Sequence, residues 1–118
     1  MIRNLTNNHV LATKIRFCDT FLTRARGLMF HRPLAEDEAL VFVEKRESIS
    51  RAAIHMFFVF FPIAVIWLDA DKRVVDKVLA RPFRPYYAPR KPAQYYVEGH
   101  PALLEKVQVG DILEISPP

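Results

Sequence analysis

The chain has 118 residues, of which 51% are hydrophobic and 25% are charged, values that exclude a disordered or fibrous protein. They predict a single domain over residues 1–118, with a core that buries roughly two-thirds of the surface of the unfolded chain. The net charge of +4 favours anionic partners only modestly, and the single cysteine, Cys18, excludes an intrachain disulfide and a cysteine-based zinc site.

The N-terminal residues and the lone cysteine predict a cytoplasmic protein. Residues 1–9 contain no apolar stretch of signal-peptide length and no small-residue cleavage site. A single unpaired thiol suits a reducing compartment. We therefore expect a cytoplasmic monomer or weak oligomer.

The hydrophobic period changes at residue 19, which predicts a strand followed by a helix. Leu11, Thr13, Ile15 and Phe17 alternate with the residues between them, as in a half-buried strand. Asp19 or Thr20 can then cap a helix. Its predicted apolar positions are Phe21, Leu22, Ala25, Leu28 and Met29. His31-Arg32-Pro33 should end this helix, because the residue before a proline disfavours helical backbone.

A run of apolar residues, 56–68, raises the question of a membrane span. As a helix it would be about 20 Å long, against a hydrocarbon core of about 30 Å. Pro62 interrupts it, and most of its other residues are β-branched or aromatic. We therefore predict no membrane span, and assign residues 54–61 and 63–69 to two strands or to one strand bent at Pro62.

The other predicted strands are short. Residues 39–43 form a continuous apolar run, typical of a buried strand. Asp69-Ala70-Asp71-Lys72 predicts a hairpin turn leading into a strand over residues 73–80. Residues 94–98 and 111–115 also have strand composition.

Two further segments complete the prediction. Residues 81–92 hold four prolines and four cations and predict an irregular surface loop. Pro101 opens a short helical turn that extends to Lys106. Together these elements predict an α+β fold, mainly β: a small, closed or nearly closed, barrel-like sheet of about seven short strands with one flanking helix.

The order of several motifs resembles the prokaryotic domain-of-unknown-function family 192. The likeness covers roughly residues 8–115. Its most specific parts are the Arg-Gly-Leu-Met helix end and the segment from Met56 to the Leu-Asp pair. The motifs are Thr23-Arg24-Ala25-Arg26-Gly27-Leu28-Met29, Leu40-Val41-Phe42, Met56, Pro62, Leu68-Asp69-Ala70-Asp71, Tyr95-Tyr96-Val97-Glu98 and Val109-Gly110-Asp111.

The resemblance implies a mainly β domain with one flanking helix and no established function. The family pattern has a Trp-Met-Lys-Asn-Thr motif followed by a proline and a Leu-Asp pair. Here the corresponding residues are His55-Met56-Phe57-Phe58-Val59, Pro62 and Ile63-Ala64. The polar side chains of the family motif are absent, so the resemblance does not transfer their chemistry to this chain.

Four residues in the family-like segments are candidates for ligand binding: Arg26, His55, Met56 and Glu98. The planar guanidinium of Arg26 could bind an anionic ligand, or it could tie the helix to the sheet through Glu98. His55 enters the best-matched segment, where it could also simply pack at a strand end. A concave pocket that holds His55 and a buried carboxylate within hydrogen-bond reach would favour the enzyme or the ligand-binding hypothesis.

Several catalytic and metal-binding chemistries find no support in the sequence. The four histidines never occur at the spacing of a metal-binding helix, and we predict no metal and no cofactor. Asp69-Ala70-Asp71 lacks the later ligands of a calcium loop and suits a turn. Cys18 follows a strand pattern and has no histidine base nearby in sequence, so packing is its expected role.

The loop at residues 81–92 is the best candidate for binding nucleic acid. Its cations and aromatic rings resemble the composition of surfaces that stack single-stranded bases. The same residues could instead cover an apolar surface, since arginine stems and tyrosine rings pack well. The nucleic-acid candidates are Arg81, Arg84, Tyr86, Tyr87, Arg90 and Lys91.

The leading functional hypothesis is a non-catalytic domain that binds a small molecule or a protein. It rests on the absence of an assembled catalytic motif in the sequence. Two alternatives stay open: an enzyme of unknown reaction that uses His55 and Glu98 as a histidine–carboxylate pair, and a single-stranded nucleic-acid binder that uses residues 81–91.

Overall fold

The structure, a computed structural model, describes residues 1–116 apart from the side chain of Phe21. The predicted burial of Phe21 therefore lies outside the described part of the chain. Within that part the elements follow the order β1 (Ile2–Asn4), β2 (Val10–Ala12), β3 (Lys14–Cys18), α1 (Phe21–Arg26), β4 (Glu38–Ser48), β5 (Ile63–Leu68), β6 (Val74–Ala80), β7 (Ala93–Gly99), a 3₁₀ helix (Pro101–Lys106) and β8 (Leu113–Ile115).

The strands form two sheets. The larger sheet has five strands in the order β3-β4-β7-β5-β6, and the smaller has three in the order β2-β1-β8. Strands β3 and β4 are parallel neighbours joined through α1, and the other pairs are antiparallel. The predicted α+β, mainly β class is confirmed. The closed barrel is wrong, because residues 1–116 divide their strands between two sheets.

Each face of the five-stranded sheet supports its own hydrophobic core. One core places Leu40, Val65 and Trp67 against the segment that follows α1 and the loop before β5. The other places Val41, Ile66 and Val97 against the three-stranded sheet and the 3₁₀ helix. Since both faces are covered, every residue of β5 is buried. Burial on both faces explains why the sequence of β5 is continuously apolar rather than alternating.

Helix α1 is shorter than the sequence predicts. Thr20 caps it: its hydroxyl accepts a hydrogen bond from the Thr23 backbone N–H, and the Thr23 side chain accepts one from the Thr20 N–H. The helix ends at Arg26, and the next residue, Gly27, has a φ of +46° and a ψ of −122°, which lie outside the helical region. The predicted apolar face is therefore wrong in part, because Leu22 is exposed while Leu28 is buried beyond the helix end.

The predicted strand over residues 54–61 is wrong. Only Ile54 makes an isolated strand-like bridge, to Tyr87, and the rest of the segment turns through irregular backbone before β5 begins at Ile63. Phe58 has a φ of +58°, which lies outside the β region of a regular strand. No helix in the described residues is long and apolar enough to cross a membrane.

The predictions for the turns are confirmed, whereas the first strand differs. The residues Asp69 to Lys72 connect β5 to β6, and the Lys72 N–H donates to the Asp69 carbonyl. Pro101 opens the 3₁₀ helix.

The predicted strand over residues 11–18 is split at Thr13, with β2 and β3 in different sheets. The three residues of β1 had no periodic signal that could reveal them.

Candidate functional site

A cavity of about 320 Å³ lies on the face of the large sheet that carries α1. Its lining comes from four separate segments: the end of α1 with the residues after it, strand β4, the loop before β5, and strand β7. Residues two apart on β4 and β7 share a face of the sheet, which is why Phe42 and Glu44 face the cavity together, as do Tyr96 and Glu98.

Two stacked aromatic rings form part of the cavity lining. Phe42 and Tyr96 are cross-strand partners on β4 and β7, with ring centroids 4.7 Å apart and planes within 4° of parallel. Both side chains are almost fully buried. Burial and the nearby carboxyl groups of Glu98 and Glu44 raise the pKa of the Tyr96 hydroxyl, so it stays protonated and can donate a hydrogen bond at neutral pH.

A partly buried ion pair fixes one wall of the cavity. The Arg24 Nε lies 3.3 Å from Glu44 Oε1, and the Arg24 guanidinium also donates to the backbone carbonyls of Asp19 and Val43. These contacts hold the end of α1 against β4. They also balance the negative charge of Glu44 with a cation of the protein itself.

Glu98 is the other carboxyl of the cavity, and its environment is different. Its side chain is buried, and no group in residues 1–116 donates a hydrogen bond to it or pairs with it. Desolvation raises the pKa of Glu98 to about 8. At neutral pH the group is therefore mainly a neutral carboxylic acid, able both to donate and to accept a hydrogen bond.

Three cationic or titratable side chains lie where the cavity opens to solvent. Arg26, Arg51 and His55 all line the cavity and are exposed. His55 Nδ1 accepts a hydrogen bond from the Phe57 backbone N–H at 3.1 Å, so the proton of the neutral ring sits on Nε2. Arg26 and Arg51 make no side-chain hydrogen bond or ion pair within the described residues. The cavity thus combines a positive opening with a neutral, hydrogen-bonding interior.

The sequence of this chain matches the model of a known protein family. The model of the family DUF192, described as uncharacterized ACR, matches residues 2–115. The chain belongs to the DUF192 family. The resemblance predicted from the sequence motifs is confirmed.

Relatives of this DUF192 protein share its sequence over nearly the whole chain. The UPF0127 protein TK1120 of Thermococcus kodakarensis is 43% identical over 119 residues, covering 99% of this chain and 74% of that protein. The UPF0127 protein PF1050 of Pyrococcus furiosus is 39% identical, covering 94% of both chains. A crystal structure of a protein of unknown function from Novosphingobium aromaticivorans has the same fold, with a TM-score of 0.78 and 22% identity over 86% of this chain and 74% of that one.

The fold of this DUF192 protein brings together three of the four ligand-binding candidates. Arg26, His55 and Glu98 line the cavity, although they are far apart in the sequence. Met56 is fully buried in the hydrophobic core and does not line the cavity. No ion pair joins Arg26 to Glu98 in the described residues, so the structure contains no tie between helix and sheet through these two side chains.

Several residues of the cavity had not been predicted from the sequence. Arg24, Phe42, Glu44, Arg51 and Tyr96 line it without having been candidates. One pattern in the sequence could have indicated the cavity. Leu40, Phe42 and Glu44 lie at alternate positions and therefore on one face of the strand, where a charged residue follows two buried ones. The predicted strand ended at Val43, and the observed strand extends to Ser48, which hid this signal.

Part of the proposed nucleic-acid loop has structural roles. The Tyr87 hydroxyl accepts a hydrogen bond from the Arg81 backbone N–H, and the Arg84 guanidinium lies over the Tyr87 ring at 5.6 Å. Arg90 forms an ion pair with Asp76 on β6 at 3.0 Å. Tyr86 and Lys91 are exposed. The loop is irregular, as predicted, but Tyr87 and Arg90 are committed to contacts within the protein.

Cys18 and the acidic and histidine side chains do not form a second site. Burial raises the pKa of the Cys18 thiol above its usual value, which disfavours the nucleophilic thiolate. Within residues 1–116, no three side chains of His, Cys, Asp or Glu are grouped so that they could hold a metal ion.

Proposed function

We propose that this protein binds a small molecule in the cavity at the end of α1. The observation that carries the proposal is the Glu98 carboxyl, which is buried in the cavity and has no hydrogen-bond partner in the described part of the chain. No buried side-chain nitrogen or oxygen in the described residues lacks a hydrogen-bond partner, so the carboxyl oxygens of Glu98 reach the cavity, where they are open to a ligand.

The lining indicates the chemical class of the ligand. Arg26, Arg51 and His55 favour an anionic group, a carboxylate or a phosphate, at the opening. The stacked Phe42 and Tyr96 rings favour a planar or apolar body. Glu98 favours a hydroxyl, carbonyl or amine at the inner end. A volume of about 320 Å³ lies at the small end of the range of about 300–1,000 Å³ for ligand pockets.

A thermal-shift screen with small hydroxy acids and amino acids that carry aromatic or branched side chains tests the proposal. A ligand present at about 100 times its Kd should stabilise the native state by about 2.7 kcal/mol, which raises the melting temperature by about 10 °C for a chain of this size. If no compound of these classes shifts the melting temperature of the wild-type protein, small-molecule binding of the proposed class is wrong.

Replacing Arg26 with methionine separates a ligand-binding role from a structural one. Arg26 is exposed and makes no ion pair in the described residues, so we expect Arg26→Met to change the free energy of unfolding by less than about 0.5 kcal/mol. Loss of a charge-assisted hydrogen bond should weaken binding of an anionic ligand by roughly 10- to 100-fold. Isothermal titration calorimetry with a hit from the screen measures this, and Lys45→Met, which removes an exposed cation of β4 outside the cavity, is the control. A lower melting temperature with unchanged affinity would contradict the ligand-binding role.

An enzyme that uses His55 and Glu98 is the second candidate. The pKa of about 8 for Glu98 favours it, since a general acid works best when its pKa lies near the operating pH. Against it, no hydrogen bond joins His55 to Glu98 in the described residues, and His55 Nδ1 is occupied by the Phe57 N–H. Mass spectrometry of each hit after prolonged incubation separates the two candidates, because binding alone returns the compound unchanged.

We also propose a cytoplasmic location and a monomeric or weakly oligomeric state for this protein. The lone, buried Cys18 supports a reducing, cytoplasmic location, and a ligand site formed within one chain needs no second subunit. We expect a monomer or weak oligomer in sedimentation equilibrium.

A further inference from the structure

Four exposed phenylalanine rings contact one another on the surface of the protein. Phe30 and Phe58 are stacked with centroids 4.9 Å apart, Phe60 and Phe83 pack edge to face at 5.1 Å, and Phe58 lies 6.3 Å from Phe83. We call these four residues the aromatic cluster. Their exposed fractions are between 45% and 65%. Single exposed apolar residues are common, but a contiguous group of aromatic rings marks an interaction surface.

The aromatic cluster stands on an ordered base formed by three chain segments. The Phe30 N–H donates to the Phe58 carbonyl, and the Phe83 N–H donates to the carbonyl of Met56, a buried core residue. Phe30, Phe58 and Phe83 have φ values of 57°, 58° and 62°, in the left-handed region that bulky residues rarely adopt. Such backbone is strained and is characteristic of binding and switch regions. The protein therefore maintains unfavourable backbone at three positions that place rings on the surface.

The segments that carry the aromatic cluster have a net positive charge and no acidic residue. Residues 28–32, 54–61 and 81–92 contain five lysine and arginine residues and no aspartate or glutamate. Two of the five are neutralised by carboxylates elsewhere, Arg32 by Glu38 and Arg90 by Asp76. The other three, Arg81, Arg84 and Lys91, are exposed and make no ion pair within residues 1–116. The surroundings of the cluster thus carry positive charge that is available to an anionic partner.

We propose that the aromatic cluster inserts into the headgroup region of an anionic lipid bilayer, with the surrounding cations binding the lipid phosphates. Aromatic rings favour the membrane interface, and a basic patch adds about 1 kcal/mol of attraction for each cation near an anionic surface. This attachment is peripheral and requires no membrane-spanning segment.

Charge and ring geometry favour lipid over two other occupants. A symmetric dimer through the cluster would set the same basic patch against itself, which costs electrostatic energy. A single-stranded nucleic acid needs free ring faces for stacking, whereas Phe30 and Phe58 already stack on each other. A lipid bilayer needs only exposed apolar area and negative charge.

Co-sedimentation with extruded vesicles tests the proposal. One set contains equal amounts of phosphatidylcholine and phosphatidylglycerol, and the other contains phosphatidylcholine alone. We expect the 118-residue protein to sediment with the anionic vesicles at 50 mM salt, to bind at least tenfold more weakly to the neutral vesicles, and to lose affinity as the salt concentration rises.

The double variant Phe58→Asn, Phe83→Asn provides the decisive comparison. Asparagine tolerates the left-handed backbone better than phenylalanine does, so this variant should fold at least as well as the wild type. Removing two inserted rings should nevertheless weaken vesicle binding at least tenfold. Leu5→Asn is the matched control, since Leu5 is exposed but lies beside the three-stranded sheet, where its N–H donates to the Ile112 carbonyl.

Three results would overturn the proposal. The first is no sedimentation of the wild type with anionic vesicles at 50 mM salt, and the second is equal binding by the double variant and the wild type. The third is a different occupant, revealed by sedimentation velocity as a dimer that Phe58→Asn, Phe83→Asn dissociates, or by filter binding as retained single-stranded RNA that the same variant releases, in the absence of vesicle binding.

Discussion

Replacing Glu98 with glutamine should make the protein more stable than the wild type by about 4–5 kcal/mol at pH 9 but by less than about 1 kcal/mol at pH 5. The pKa of Glu98 rises from 4.5 to about 8 on folding. Below pH 4.5 the carboxyl is protonated in both states and carries no penalty. Between pH 4.5 and pH 8 only the native state holds the proton, so the free energy of unfolding falls by about 1.4 kcal/mol per pH unit. The loss is complete above pH 8, where it reaches about 4–5 kcal/mol.

The glutamine variant lacks this titration, so the difference between the two proteins isolates Glu98 from the histidines. Urea denaturation at pH 5, 7 and 9 gives the free energies of unfolding. Glu38, whose pKa is lowered to about 2 by its bonds to Arg32, titrates below this range and does not interfere. Glu105→Gln, which removes an exposed carboxylate, is the control and should follow the wild type. Parallel curves for Glu98→Gln and the wild type would show that Glu98 is not held neutral.

Replacing Gly27 with alanine should destabilise the protein by about 2–3 kcal/mol and weaken ligand binding in the cavity. The φ of +46° and ψ of −122° at Gly27 lie outside the regions that residues with a Cβ adopt without strain, and such strain costs about 1–3 kcal/mol. A Cβ at this position would also lie 3.3 Å from Phe42 Cζ and 3.7 Å from Glu98 Oε1. The Phe42 ring would have to move by a few tenths of an ångström at the cavity wall.

Gly110→Ala separates the backbone effect from the effect on the cavity. Gly110 also has a positive φ, of 100°, but a Cβ there would meet no atom within 4 Å. Both alanine variants should lose stability in urea denaturation, whereas only Gly27→Ala should lose affinity for a hit from the thermal-shift screen. If Gly27→Ala is within 0.5 kcal/mol of the wild type, the backbone at residue 27 is not strained in the way we infer.

For the apolar run at residues 56–68, composition predicted the structure of the second half correctly and that of the first half wrongly. Its length correctly excluded a membrane-spanning helix, and its second half is strand β5, as predicted. Its first half has the same β-branched and aromatic composition but is not a strand. Strand propensity reflects packing against neighbouring strands more than an intrinsic preference of the backbone. Phe58 and Phe60 pack instead against Phe30 and Phe83, from distant parts of the chain.

The sequence motifs predicted only part of the candidate site, because a motif does not determine which way each side chain points. The motif resemblance led to Arg26, His55 and Glu98, which the fold brings to one cavity. It also led to Met56, which the fold buries. Position in a motif gives no information about the direction of a side chain when the local backbone is irregular, as it is between Ile54 and Ile63.

The sequence by itself determined the mainly β class, the turn at Asp69 to Lys72, the 3₁₀ helix at Pro101 and the family, because periodicity, turn residues and motifs are local properties of the chain. Only the tertiary structure decided that Glu98 is buried without a partner, that Glu44 is neutralised by Arg24, and that the phenylalanine rings face outward. Each of these features depends on residues brought together by strand pairings and loop contacts that span tens of residues. The pKa of Glu98 and the exposure of the aromatic cluster are therefore properties of the fold, which no local pattern of residues reveals.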